Sequence, residues 1–206
     1  MDVRAKQRLC YEWLLVNSEL RGGGFAPRHL SRYASMVNSN EQLLTAASEG
    51  DSDLLKIALA EGAEIDAAND FGSSALICAA TKGHLEIIRL LLAKGANINH
   101  RSQHEISALQ QAVSWQHFEV VQTLLEYGAD VNERGNVGTT PLMIAAARGN
   151  MLITRLLLER GAVPDQRDLE GLNAWACAAE KGNSEIAELL AQLGAKTEFP
   201  ELSEDA

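Results

Sequence analysis

The pair Gly-Ala returns at Gly62-Ala63, Gly95-Ala96, Gly128-Ala129, Gly161-Ala162 and Gly194-Ala195, at a constant step of 33 residues. A fixed period of this length, kept without an insertion, marks a chain built from stacked copies of one supersecondary unit, and it excludes a single central core. Other columns keep the same register. A bulky apolar residue stands at Leu43, Leu76, Leu109, Leu142 and Trp175, and small residues follow at Ala46-Ala47, Ala79-Ala80, Ala112-Val113, Ala145-Ala146 and Ala178-Ala179. Gly50, Gly83, Gly149 and Gly182 close the segment, with Gln116 in the third unit.

Each column has a physical cause. A run such as Leu76 to Lys82 reads as a short, Ala-rich helix ended by a glycine that can take the left-handed conformation. The next run, Leu85 to Leu92, is apolar around most of its circumference and is expected between neighbours rather than on a free surface. The polar stretch after each Gly-Ala pair is too short and too rich in Asn, Asp and Gly for a helix, and predicts a turn or hairpin. The unit is helix, turn, helix, extended loop. An all-α solenoid follows, with closely packed helices and little need for large rings; only 5% of the chain is aromatic.

At these residues the chain resembles the ankyrin-repeat family. The fourth unit is nearest the pattern, with Gly138-Thr139-Thr140-Pro141-Leu142-Met143-Ile144-Ala145-Ala146, then Gly149-Asn150, Leu156-Leu157-Leu158 and Gly161-Ala162. The resemblance spans about residues 38–197, in five units at about 38–68, 69–101, 102–134, 135–167 and 168–197, and implies a β-hairpin loop beside each helix pair. Departures from the pattern are informative. Proline before the marker leucine stands only at Pro141, and the usual histidine after it is replaced by Leu44, Ile77, Gln110, Met143 and Ala176. The third unit has Glu105 and Gln116 where glycine is expected. A side chain in a left-handed position costs on the order of 1 kcal/mol, so this unit should be strained, reshaped or otherwise stabilised. The first unit, without a preceding hairpin signature, and the fifth, with the more polar Ala191-Gln192-Leu193, read as end caps.

Charge is segregated. The chain has 28 acidic and 18 basic residues, a net charge of −10, which disfavours broad neutralisation of nucleic-acid phosphates. Residues 1–35 nevertheless carry +3, leaving −13 for the remainder. Leu9, Trp13, Val16 and Leu20 fall on one helical face, so residues 1–37 are expected to form a helical extension or cap over the first unit. The alternative is a regulatory or targeting arm that engages a membrane, an export receptor or a second protein. Residues 198–206 are expected to be an acidic, disordered tail. No apolar run approaches the roughly 20 residues of a membrane span. Cys10, Cys78 and Cys177 are too far apart in sequence for a zinc or redox motif and read as reduced, packed thiols. A monomer in the cytoplasm is the expected setting.

No acid, base and nucleophile set converges, so no enzyme and no cofactor is predicted. His100 and His104 have helical metal-ligand spacing but fall in a predicted hairpin, and no metal site is expected there. His84 and His117 share a column with Asp51, Asn150 and Asn183, which predicts capping of the second helix of each unit. What remains is recognition. Equivalent residues of stacked units form lines, with steps of about 10 Å set by helix packing. On the hairpins Phe71, Ile106, Val137, Leu169 and Leu172 are expected to be exposed, with His104 beside them. Lys82, Trp115, Arg148 and Lys181 recur at the ends of the first helices, and Arg101, Arg134 and Arg167 recur at the hairpins. Glu133, Asp168 and Glu170 lie close enough to neutralise part of that row. The resemblance places hairpins and first helices together in a concave groove. The expected role is an adaptor, scaffold or stoichiometric inhibitor holding a partner polypeptide there, with an acidic or phosphorylated segment against the basic row. Family members can also carry hydroxylated asparagines in the hairpin approach, for which Asn99 and Asn132 are the matching positions.

Overall fold

The computed structural model describes residues 38–199. The expected helical extension over 1–37, and residues 200–206 of the expected tail, lie outside the described residues. Ten helices among them pair into five units: α1 (Ser39–Glu49) with α2 (Ser52–Ala60), α3 (Ala75–Lys82) with α4 (Leu85–Ala93), α5 (Ala108–Ser114) with α6 (Phe118–Glu126), α7 (Pro141–Arg148) with α8 (Met151–Glu159), and α9 (Ala174–Glu180) with α10 (Ser184–Gln192).

Short helices need defined ends, because a two-turn helix leaves most of its backbone groups without intrahelical partners. Ser74, Ser107, Thr140 and Asn173 cap the first helices, each side-chain oxygen accepting from the amide three residues on, at Ile77, Gln110, Met143 and Ala176. Removing such a cap costs about 1 kcal/mol. At the other end Gly83 takes φ = +77° and its N–H donates to the Ala79 carbonyl. The third unit makes the same turn with Gln116 at φ = +61°, and its hairpin turns with Glu105 at φ = +56°. Both positions thus carry the left-handed strain that the missing glycines predict.

The core is a line of seams. First helices meet through Ala46, Ala79, Ala80, Ala112, Ala145, Ala146 and Ala178, all fully buried, which lets their axes approach closely. Second helices contribute Leu55, Ile88, Leu91, Val121, Leu124, Ile153, Leu157 and Leu190. Each such aliphatic side chain stabilises the stack by about 1.5–3 kcal/mol.

The loops are tighter than hairpins with strands. Their only bridge among the described residues joins Ala68 to Ser74. Each turn closes instead by two backbone bonds, one between its legs, from Asn69 to Ser73, Ser102 to Ile106, Gly135 to Thr139 and Asp168 to Leu172, and one back to the first of these residues from Gly72, Glu105, Gly138 and Gly171. The side chains of Asn69, Ser102 and Asp168 also accept amides within their own turns. Successive tips are tied by Gln103 N–H to the Phe71 carbonyl and by Leu169 N–H to the Val137 carbonyl, both at 3.0 Å. Among the described residues no such bond joins Asn136 to His104.

Candidate recognition face

Three sets of bonds between units hold this face in place. The first runs through the histidine column. His84 Nε2 lies 3.1 Å from the Ser48 carbonyl and His117 Nε2 lies 3.2 Å from that of Thr81, which requires each Nε2 to carry its proton. Neither imidazole caps its own second helix, contrary to the column's expected role, and Asn183 likewise turns away to donate to Ala146 and Ala147. Only Asp51 and Asn150 cap as expected. The reason is reach. Both rings and the Asn183 amide cross the turn to orphan carbonyls in the last turn of the preceding unit's first helix. A Cβ at Gly50 would sit 2.7 Å from the His84 ring, and one at Gly83 equally close to His117. Glycine is therefore needed there twice, for its backbone angle and for the ring of the next unit. In the third unit Gln116 fills that space, and the following residue is Asn150, whose amide donates to Gln116 Oε1 at 3.1 Å.

The second set is the arginine row. Arg101 donates to the Arg134 carbonyl, Arg134 to the Arg167 carbonyl and Arg167 to the Gly171 carbonyl, each at 2.6 Å. Arg101 and Arg134 thus tie one hairpin to the next and Arg167 braces its own, so part of their donor capacity is already used inside the protein. Glu133, buried beside them, receives Arg101 Nη2 at 3.5 Å and the Ser107 hydroxyl. Burial pushes its carboxyl above the ordinary range, opposed by Ser107 and Arg101. Gln110, also buried, donates to the Thr139 carbonyl and braces the hairpin of the fourth unit, where Gly135 carries no side chain to staple the turn. A Cβ at Gly135 would press on the Gln110 amide at 3.1 Å.

The third set lies in the hairpin approaches. Asn132 accepts from Val163 N–H and donates to the Gly161 carbonyl. Asp165 accepts from Lys196 N–H and from the Asn173 amide, and that amide bond above all holds its carboxyl below the ordinary range. The segment after α10 is closed by Phe199 against Trp175, ring centres 5.2 Å apart.

What these ties leave outside is the candidate surface. Phe71, Val137 and Leu169 are exposed at the tips, at 66%, 54% and 76%, while Ile106 and Leu172 are half-buried and His104 is exposed. Lys82, Trp115, Arg148 and Lys181 are all exposed at the ends of α3, α5, α7 and α9. The Trp115 ring nitrogen donates to Gln111 Oε1 at 3.2 Å, fixing the ring, and Arg148 donates to the Ser114 hydroxyl at 3.1 Å. Two clefts of about 440 and 320 Å³ open elsewhere, among Arg155, Leu158 and Leu193 and around Met151 and Ser184, and contain none of the candidate contacts. Cys78 and Cys177 are half-buried within α3 and α9; burial raises both thiols, Cys177 to about 11, which makes them poor nucleophiles. No group of metal-ligating side chains is found among the described residues. No helix among them is long and apolar enough to cross a membrane.

A stack of capped helix pairs with an exposed row of tips and helix ends is a repeat scaffold for recognition. The family model described as ankyrin repeats (3 copies) matches residues 43–135 and 132–200, and the chain belongs to the ankyrin-repeat family. No curated protein matches the chain. Ankyrin repeats are generally protein–protein interaction modules and typically non-catalytic.

Proposed function

We propose that the chain is a cytoplasmic adaptor, scaffold or stoichiometric inhibitor that holds a partner polypeptide between the hairpin tips and the ends of the first helices. The observation that carries this reading is Trp115. It is 60% exposed in a column otherwise filled by Glu49, Lys82, Arg148 and Lys181, and packing asks nothing of it. Tryptophan and arginine are the residue types that most often dominate binding energy. Phe71, Val137 and Leu169 supply apolar contacts on the opposite side of the same face, and the arginine row presents what donors it has left. Trp115→Ala and Arg148→Glu, in affinity capture read by mass spectrometry, are expected to lose the same partner while thermal unfolding stays nearly unchanged. Normal capture by both variants would exclude this face.

A further inference from the structure

The two sides of the face differ in charge. At the hairpins Arg101, Arg134 and Arg167 are bonded to carbonyls and are matched by Asp70, Glu105, Asp168 and Glu170. At the helix ends the cations are freer. Lys82 has no ion-pair partner among the described residues, and the only side-chain bond of Arg148 among them is to a neutral hydroxyl. Lys181 meets Glu180 at 3.3 Å with both side chains more than half exposed, an exchangeable pair worth little. Between Lys82 and Arg148 the two helix-end columns hold Thr81, Ser114, Trp115 and Ala147 and no acid. An anionic ligand is therefore best matched on this side.

Spacing then selects the ligand's conformation. Units repeat at about 10 Å. A β-strand brings side chains back to one face about every 6.7 Å and falls out of step. A polyproline II helix, with three residues per turn and a rise of about 3.1 Å, returns every 9.3 Å or so and keeps step across four units with ten residues. An oriented, exposed tryptophan is also the surface on which proline rings dock in that conformation.

We propose that Lys82, Trp115, Arg148 and Lys181 bind an acidic polyproline II segment of the form Glu-x-x-Pro-x-x-Glu-x-x-Glu, in either chain direction, with proline on Trp115 and a carboxylate at each cation. The proposal rests on the groove reading above and names its ligand. The test is fluorescence polarisation of the full chain with labelled ten-residue peptides, proline at every x: the motif, its reverse, and an isomer of equal composition with its three glutamates adjacent. A longer helical peptide with acids seven residues apart, which would also keep a step of about 10 Å, is the fourth probe.

One of the two spaced peptides is expected to bind at least about tenfold tighter than the isomer, and to lose about tenfold with Arg148→Glu or with added salt, since exposed charges are screened. Equal binding of spaced and adjacent acids, a tighter helical peptide, or indifference to Arg148→Glu would overturn it. If those peptides fail while Trp115→Ala and Arg148→Glu still abolish partner capture, the groove reading stands and only this ligand is wrong. Unimpaired capture by both variants overturns the two together.

Discussion

The junction between the third and fourth units and the two junctions before it solve one packing problem in different ways. Where Gly50 and Gly83 turn the chain, the next unit lays a histidine ring over the glycine and ties it to a helix-end carbonyl. Where Gln116 turns it, the next unit has Asn150, and a side-chain pair replaces glycine and ring. The same substitution of side chains for backbone recurs beneath the hairpins. Gly135 has no side chain to staple its own turn, and Gln110 of the unit before braces that turn from below. Buried Glu133 and Ser107 meet the partly exposed Arg101 where the neighbouring tips lack their backbone bond among the described residues. Positions in a repeat are thus coupled across units, about 33 residues apart.

Moving one arrangement into the other's place tests that coupling. Gly83→Gln should cost about 2–3 kcal/mol in urea denaturation, from left-handed strain and a displaced His117 ring. Adding His117→Asn, which copies the Gln116 and Asn150 pair, should return about 1 kcal/mol of it; no recovery would break the comparison. Arg101→Ala leaves the Glu133 carboxylate buried without its cation, and because the arginine is partly exposed the expected loss is about 2 kcal/mol, below the range for a fully buried pair.

Glu133 also predicts a pH slope. Its folded-state carboxyl is raised above the ordinary value of 4.5. The proton is held more tightly in the folded chain, so its stabilising contribution is complete below about 4.5 and is lost as pH rises through the higher folded value. Asp165, lowered from 3.8, acts oppositely: its contribution is present above 3.8 and is lost as pH falls through the lower folded value. Glu133→Gln should flatten the slope above pH 4.5 or so and leave the acid limb, where Asp165 acts, unchanged. The smallest effect is expected from Gln116→Gly. It relieves about 1 kcal/mol of backbone strain but gives up the Asn150 bond, worth about as much, so stability should change by less than about 0.5 kcal/mol.

The repeat unit was legible because helix ends and seams leave their mark at fixed register. Leu76, Ala79 and Gly83 declare a helix, its buried face and its stop, and Glu105 and Gln116 declare strain by not being glycine. The roles that were not legible have partners in another unit's backbone. His84 reads as a cap until the Ser48 carbonyl is found above it, and a carbonyl leaves no trace in a side-chain pattern. The arginine row hid its inward bonds for the same reason. Glu133 was visible as a neighbour of the arginine row, but its burial and its pairing with Arg101 were not; the available signal was an acid in a column otherwise held by Ala67, His100 and Gln166. The recognition face was read by subtraction, from residues the unit did not need, and the structure supplies their exposure.

The gap between His104 and Asn136 can be restated in terms of isotope exchange. The amides of Gln103 and Leu169 open only when two units part, whereas that of Asn136 has no carbonyl partner among the described residues. Deuterium should therefore enter the tip row first at Asn136, dividing it into two protected pairs, Phe71 with Gln103 and Val137 with Leu169. The seam between those pairs falls between the hairpins of the third and fourth units, the latter being the unit that also carries Arg148.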